Sequence, residues 1–411
     1  MTRIPLRKLG ILLVLAGLAV GLAACAGQKA TVKFGVLMSF TGDLASYGQD
    51  ISEGADLAAK HINEAGGILG TKVEALQRDD GTSPQVGTDA ARKLVDIDKV
   101  PGIVGALSSG VTLAVANSVT IPGKVVQISP ASTAPDLTYL QDDDFVFRTT
   151  ASDALQGVVL GGMAKQLGFN TASTLYVNNP YGQGLSRQFA ESFRAAGGTV
   201  LAEVSHEQIQ PNYQAEVRSA MQGNPDVILA LSYPESASIY LKEIIAAGYT
   251  GKFMFCDGTK SPELITTVGA QYLNGTYGTA AAAVDTETGQ VFRQAYEAEY
   301  GELPPKPYIG EAYDAFVLLA LAAQKAGKAD GTAIRDNLRA VANPPGEVVG
   351  PGVEGIKRAI DLIKQGKDIN YEGAAGSQDF DAAGDVRTPI EVWKIENGQI
   401  VRVQLVEVPV Q

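Results

Sequence analysis

Two hydroxyl-rich loops, Ser108-Ser109-Gly110 and Ser129-Pro130-Ala131-Ser132-Thr133, are the part of this chain best equipped for chemistry. Each follows a short apolar run, at residues 103–106 and 125–128. Between them lies a small-residue helical pattern through Val111, Ala114, Val115 and Val119 that breaks at Pro122-Gly123. Strand, helix, strand in a parallel sheet sends both loops to the edge outside the carboxyl ends of the strands, where α/β proteins bind ligands. Ser109 falls where the helix should begin. An N-cap serine there leaves backbone N–H groups pointing outward at the positive end of a helix, which suits a small carboxylate. Each loop alone reads equally well as a cap or a turn; the two in one βαβ unit point to a pocket. A third polar residue, Asp257, follows the apolar run at 252–255 and either caps a helix or projects at a sheet edge.

Other chemistries lack their signatures. The chain contains no GxSxG and no GxxxxGK[ST]. Tyr181-Gly182-Gln183-Gly184 hints at a dinucleotide loop but lacks the third glycine of GxGxxG. Asp379-Phe380-Asp381-Ala382-Ala383-Gly384 starts like a calcium loop, yet Ala383 and Ile390 fall where ligands are required, so a turn is expected. His61 and His206 are the only histidines, and Cys25 and Cys256 the only cysteines, which argues against a zinc site and leaves the folded part without an internal disulfide. His61 sits in a helical pattern and reads as packing or surface. No metal, no cofactor and no enzymatic activity are expected. A formal charge of −12 is a poor match to nucleic acid, whose phosphates need a basic face.

The elements that must position these loops can be read in outline. Arg3, Arg7 and Lys8 precede an apolar run at 9–24, too short to span a membrane and suited to an export signal. Strand patterns at 31–38 and 72–78 alternate with a helix from Tyr47-Gly48 to Ala65-Gly66-Gly67 and another opening at Ser83-Pro84. The alternation resumes with strands at 173–177, 199–204, 226–231 and 252–255 and helices between them. A chain of 411 residues exceeds one ordinary core, and the pattern predicts two parallel sheets flanked by helices.

The second loop, Ile128-Ser129-Pro130-Ala131-Ser132-Thr133-Ala134-Pro135-Asp136-Leu137-Thr138, closely resembles a loop of the leucine/isoleucine/valine-binding protein family, the type I periplasmic binding proteins of ABC importers. The likeness recurs at Val36-Leu37-Met38-Ser39, Ala65-Gly66-Gly67-Ile68, Phe145-Val146-Phe147-Arg148-Thr149-Thr150 and Tyr181-Gly182-Gln183-Gly184. It implies two Rossmann-like α/β lobes joined by a three-crossover hinge, with a ligand cleft between them. A signal peptide would occupy residues 1–24, the first lobe 25–151 and 282–388, and the second 152–281 and 389–411. Residues 145–150 would be the first crossover, and 275–283 the return.

Leu22-Ala23-Ala24-Cys25 resembles a lipobox, implying lipid attachment at Cys25 and an extracytoplasmic protein held to the membrane by that anchor alone. In the cleft, the resemblance implies that Ser109 binds a ligand carboxylate, that Thr133 contacts carboxylate and ammonium, and that the Ala131 carbonyl accepts from the ammonium. Asp257 stands where branched-chain binders carry Glu, one methylene longer, to pair with the ammonium. Tyr47, Tyr181, Tyr233 and Tyr308 match wall positions. The expected partners are a free amino acid and an ABC permease, and the expected state a monomer. An amide, urea, or aromatic or short-chain carboxylate is the alternative ligand; a sensor docking a signalling receptor is the alternative role.

Overall fold

The computed structural model describes residues 31–282 and 286–407; the expected export signal and Cys25 lie outside them. Five strands form the first sheet: β1 (Val32–Met38), β2 (Val73–Asp79), β3 (Gly102–Gly105), β4 (Val126–Ser129) and β5 (Val146–Arg148). Their spatial order is β2-β1-β3-β4-β5 and every pairing is parallel. β3, β4 and β5 are buried along their whole length, as short apolar runs covered by helices on both faces should be. The connecting helices are α1 (Ala45–Glu64), α2 (Pro84–Arg92) and α3 (Ser109–Val115). α1 stops before Gly66 and Gly67, both in the left-handed region that ends a helix.

The chain crosses after β5 and enters α4 (Asp153–Gln166). The second sheet then assembles from β6 (Thr171–Val177), β7 (Thr199–His206), β8 (Val227–Leu231), β9 (Lys252–Phe255) and β10 (Tyr277–Ala281). Helices α5 (Pro180–Ala195), α6 (Gln214–Ala220), α7 (Pro234–Ala246) and α8 (Pro262–Val268) connect them. After β10 the chain returns to the first lobe. There α9 (Glu287–Tyr300), α10 (Ile309–Ala326), α11 (Gly331–Ala342) and α12 (Gly352–Lys364) are laid down, with a small parallel pair of β11 (Glu347–Val349) and β12 (Ile369–Tyr371). A third crossing delivers the hairpin β13 (Ile390–Glu396) and β14 (Gln399–Val406) to the second sheet, whose order is β14-β13-β10-β9-β8-β6-β7. β13 is antiparallel to both β10 and β14. This is the two-lobe α/β architecture with a three-crossover hinge.

Two local expectations shift. Val146–Arg148 form a strand paired with β4, so the first crossover lies only after Arg148. Residues 277–281 likewise form a strand, bridging β9 and β13, before the return. α2 runs into a wider helical turn at Lys93–Ile97. α4 has no clear apolar stripe because it is buried against α5 on one side and strands on others. Gly157 and Gly161 allow that approach: a Cβ on either would strike Gln188 or Ser192 of α5.

Candidate functional site

Seven of the eight residues nominated from the sequence converge on one cavity between the lobes. Tyr47, Ser109, Ala131 and Tyr308 line it from the first lobe, and Tyr181, Tyr233 and Asp257 from the second. The space open to the centre of a water molecule is about 20 Å³, room for roughly one water.

The floor on the first lobe is made by the loops after β3 and β4, which are stitched together. Ser129 Oγ donates to the Ala106 carbonyl at 2.7 Å and accepts from the backbone N–H groups of Ala131 and Ser132. Ser132 Oγ meets Thr112 Oγ1 at 2.8 Å and the Leu107 carbonyl at 3.1 Å. Ser109 departs from the expectation of an N-cap. Ser108 occupies that position, and neither serine caps the helix through its side chain. Ser109 is the first helical residue, and its Oγ accepts from the Ala134 N–H at 3.2 Å because the second loop folds back over the start of α3.

Thr133 is buried beside the cavity but does not line it. Its hydroxyl donates to Asp153 Oδ2 at 2.8 Å, and its carbonyl accepts from the Asp153 N–H at 2.8 Å. These two hydrogen bonds tie the loop after β4 to the first residue of the helix that follows the crossover.

Asp257 follows β9 in a single tight turn, and its side chain is the centre of the site. Oδ1 accepts from Tyr181 Oη and Gln156 Nε2, both at 2.8 Å, and Oδ2 from Tyr308 Oη at 2.6 Å. Its carbonyl accepts from Tyr47 Oη at 3.1 Å. Burial raises the carboxyl above the usual range, and the donations of Tyr308, Tyr181 and Gln156 oppose that. The carboxyl of Asp153 is pushed well up, by burial first and then by the nearby charge of Asp257. Burial and the same charge raise the Tyr181 and Tyr308 hydroxyls and push the Cys256 thiol up to about 12, which leaves it inert. The Tyr181 and Tyr233 rings stack 5.4 Å apart at 6°.

Further contacts hold the lobes together around this cavity. Tyr233 Oη donates to Ser108 Oγ at 3.1 Å. Asp43 of the first lobe accepts from the Ser236 N–H at 2.7 Å and from Ser236 Oγ at 2.6 Å, at the N-terminus of α7. Glu235 Oε1 accepts from the Ser46 N–H at 3.1 Å. Lys306 bridges Asp50 at 2.6 Å and Glu263 at 2.7 Å.

The histidines lie elsewhere: His61 meets Tyr313 between helices of the first lobe, and His206 meets Ser232 inside the second. Tyr181-Gly182-Gln183-Gly184 opens α5, where the Asn179 side chain accepts from the Gly182 N–H. Residues 379–384 form a turn in which Asp381 Oδ1 accepts from Ala383 and Asp385. Among the described residues no group of three or more His, Cys, Asp or Glu is arranged to hold a metal, and no helix is long and apolar enough to cross a membrane.

Sequence reasoning missed Asp153 and Gln156, although they hold Thr133 and Asp257. Ser152 before Asp153 is a legible cap signal, but nothing in a helix without a stripe marks Gln156 as inward-facing.

The arrangement offers one buried carboxylate, hydroxyls and tyrosine walls, which fits recognition of a small polar molecule. Comparison with known proteins agrees. The chain is 30% identical over 364 residues to the chemotactic signal transduction system substrate-binding protein BasB of Halobacterium salinarum, covering 87% of this chain and 85% of that one. The leucine-binding protein LivK of Thermotoga maritima superposes with a TM-score of 0.77 at 26% identity, over 92% of this chain and 99% of that one. The branched-chain amino acid transporter substrate-binding protein LivJ of Streptococcus pneumoniae, solved with isoleucine, gives 0.76 at 25%, over 92% and 100%. Residues 31–360 match the periplasmic binding protein family, and the chain therefore belongs to that family of extracytoplasmic solute-binding proteins.

Proposed function

We propose that this protein is a receptor, lipid-anchored through Cys25, that takes a free α-amino acid of branched-chain or related type between its lobes and delivers it to an ABC permease. The observation that carries this reading is the convergence of residues from both lobes on the buried, donor-ringed carboxylate of Asp257. In this reading Asp257 pairs with the ligand's ammonium. Ser109 takes the carboxylate, the Ala131 carbonyl accepts from the ammonium, Thr133 braces their loop through Asp153, and the four tyrosines form the walls. The lobes, residues 25–151 with 282–388 and 152–281 with 389–411, part to admit the ligand. A ligand touching both favours the closed state by its differential affinity. The protein works as a monomer, without metal or cofactor, and catalyses no reaction.

The isoleucine held by LivJ supports an amino acid. The likeness to BasB favours a second reading, in which the loaded receptor docks a chemotaxis transducer instead of a permease. Crosslinking the ligand-loaded protein in membranes and identifying the captured partner separates the two.

The ligand is tested by a thermal-shift screen of the twenty amino acids with small amides and aromatic and short-chain acids. A ligand at a hundred times its dissociation constant adds about 2.7 kcal/mol of stability. Titration calorimetry of Asp257→Asn then examines the ammonium assignment. Leaving a buried charge without its partner costs about 3–5 kcal/mol, so affinity for the amino acid should fall roughly two to three orders of magnitude. Affinity for the deaminated acid should fall far less. Undiminished amino acid binding by the variant would move the assignment to an amide or a plain carboxylate.

A further inference from the structure

Tyr308 lines two spaces. On one side lies the cavity around Asp257, with about 20 Å³ open to water centres. On the other lies an interlobe chamber with about 480 Å³, walled by Phe292, Leu303, Pro304 and Ile400 and floored by the buried pair of Lys260 and Glu391. Among the described residues, Tyr308 alone lines both.

Its ring is held at both ends. The hydroxyl is fixed on Asp257 Oδ2 at 2.6 Å. The backbone, at φ 79° and ψ 1°, lies in the left-handed region, which is costly for a bulky residue and persists only where the surroundings impose it. Here the preceding segment, with Pro304, Pro305 and Pro307, limits backbone freedom, and α10 starts at the next residue. Strain of this kind gathers at ligand clamps.

The chamber has its own polar character. Lys260 Nζ donates to Glu391 Oε1 at 2.9 Å. An ammonium has three N–H groups, and this is the one protein acceptor found for Lys260 among the described residues. Glu311, also on the chamber wall, is raised to about 8 by burial. An oxygen acceptor entering the chamber would find donors, and an alkyl chain would find apolar walls.

We infer that Tyr308 is the specificity-determining partition of the amino acid site, and that it closes off a chamber whose chemistry suits a side chain ending in an oxygen acceptor. This rests on the amino acid reading above. With Tyr308 in place the chamber is closed to the ligand's side chain and short side chains are preferred. With the ring removed the two spaces join.

The experiment is titration calorimetry with valine, norleucine and 2-aminoadipate, the last two having the same number of carbons. Wild type should prefer valine to 2-aminoadipate by at least tenfold. Tyr308→Gly suits the left-handed backbone, and Tyr308→Asn, which tolerates it, provides a second open variant. Both should shift that preference toward 2-aminoadipate by tenfold or more. Tyr308→Phe keeps the ring and loses only the bond to Asp257, so it should weaken all three ligands while retaining their order. Adding Lys260→Gln to the open variant should remove the gain for 2-aminoadipate and leave norleucine unchanged. An unaltered preference in both open variants, or a Phe variant that shifts as far as they do, overturns the partition alone. If wild type binds no α-amino acid, the function proposed above falls, and the partition with it.

Discussion

Asp257 accepts three side-chain hydrogen bonds from neutral donors. Burial raises the carboxyl above its ordinary range, and these donors, which favour the ionised form, oppose that rise. Gln156 is the donor that can be removed without altering the tyrosine walls. In Gln156→Leu, Oδ1 keeps only Tyr181, the carboxyl is raised further, and a hydrogen bond to a charged group worth about 1.5–3 kcal/mol is lost. Calorimetry should show amino acid affinity about tenfold to a hundredfold weaker. The deficit should grow as pH falls, because protonation removes the charge that pairs with the ammonium. A pH-independent deficit would mean that Gln156 acts by packing alone.

Helix α7 presents its N-terminus to Asp43 across the lobes, where free backbone N–H groups and the helix dipole favour an anion. This contact exists only when the lobes are together, so it belongs to closure and not to the stability of either lobe. Asp43→Ala should therefore weaken ligand binding about tenfold or more, taking about 1.5 kcal/mol or above for the charged hydrogen bonds. Small-angle scattering should show a larger radius of gyration for the ligand-saturated variant than for wild type. Equal radii with weakened binding would count against a latch. α4 works at the same scale: Asp153 and Gln156, one turn apart, reach Thr133 in one lobe and Asp257 in the other, so the hinge helix positions polar groups on both sides of the cleft.

The whole molecule carries several carboxyls whose burial raises them: Asp43 and Asp80 to about 6, Glu235 and Asp314 to about 7, Glu311 to about 8. Unfolded, these groups titrate near 4, so between about pH 4 and 8 the folded state binds more protons than the unfolded. Stability must then fall as pH rises through that window. The melting temperature should be higher at pH 5.5 than at pH 8, and the net charge of −12 acts in the same direction. A rising melting temperature over that range would contradict this balance. The anchor is likewise a property of the full chain: Cys25→Ser should move the protein from the membrane fraction to the soluble exported fraction, whereas unchanged fractionation would exclude lipid attachment at that residue.

What could be read from the chain alone was whatever leaves a local, periodic or punctuated trace. The apolar runs of β3 and β4, the glycine stop after α1, and the alternation of strand and helix follow from backbone chemistry within a few residues. The loop at 128–138 was long enough to point to a family. Tyr47, Ser109, Ala131, Tyr181, Tyr233, Asp257 and Tyr308 could be nominated through that likeness, and the tertiary structure brings them to one cavity. It alone decided how they are paired. Ser109 yields the cap position to Ser108 because a loop more than twenty residues later in the chain folds over it, and Thr133 turns to Asp153. Gln156 lies 101 residues from the carboxylate it holds, and Tyr308 lies 51 residues from the same group. Such contacts are set by how two sheets, each folded from distant segments, are brought face to face by the crossovers. The side-chain types at either end carry no record of that distance.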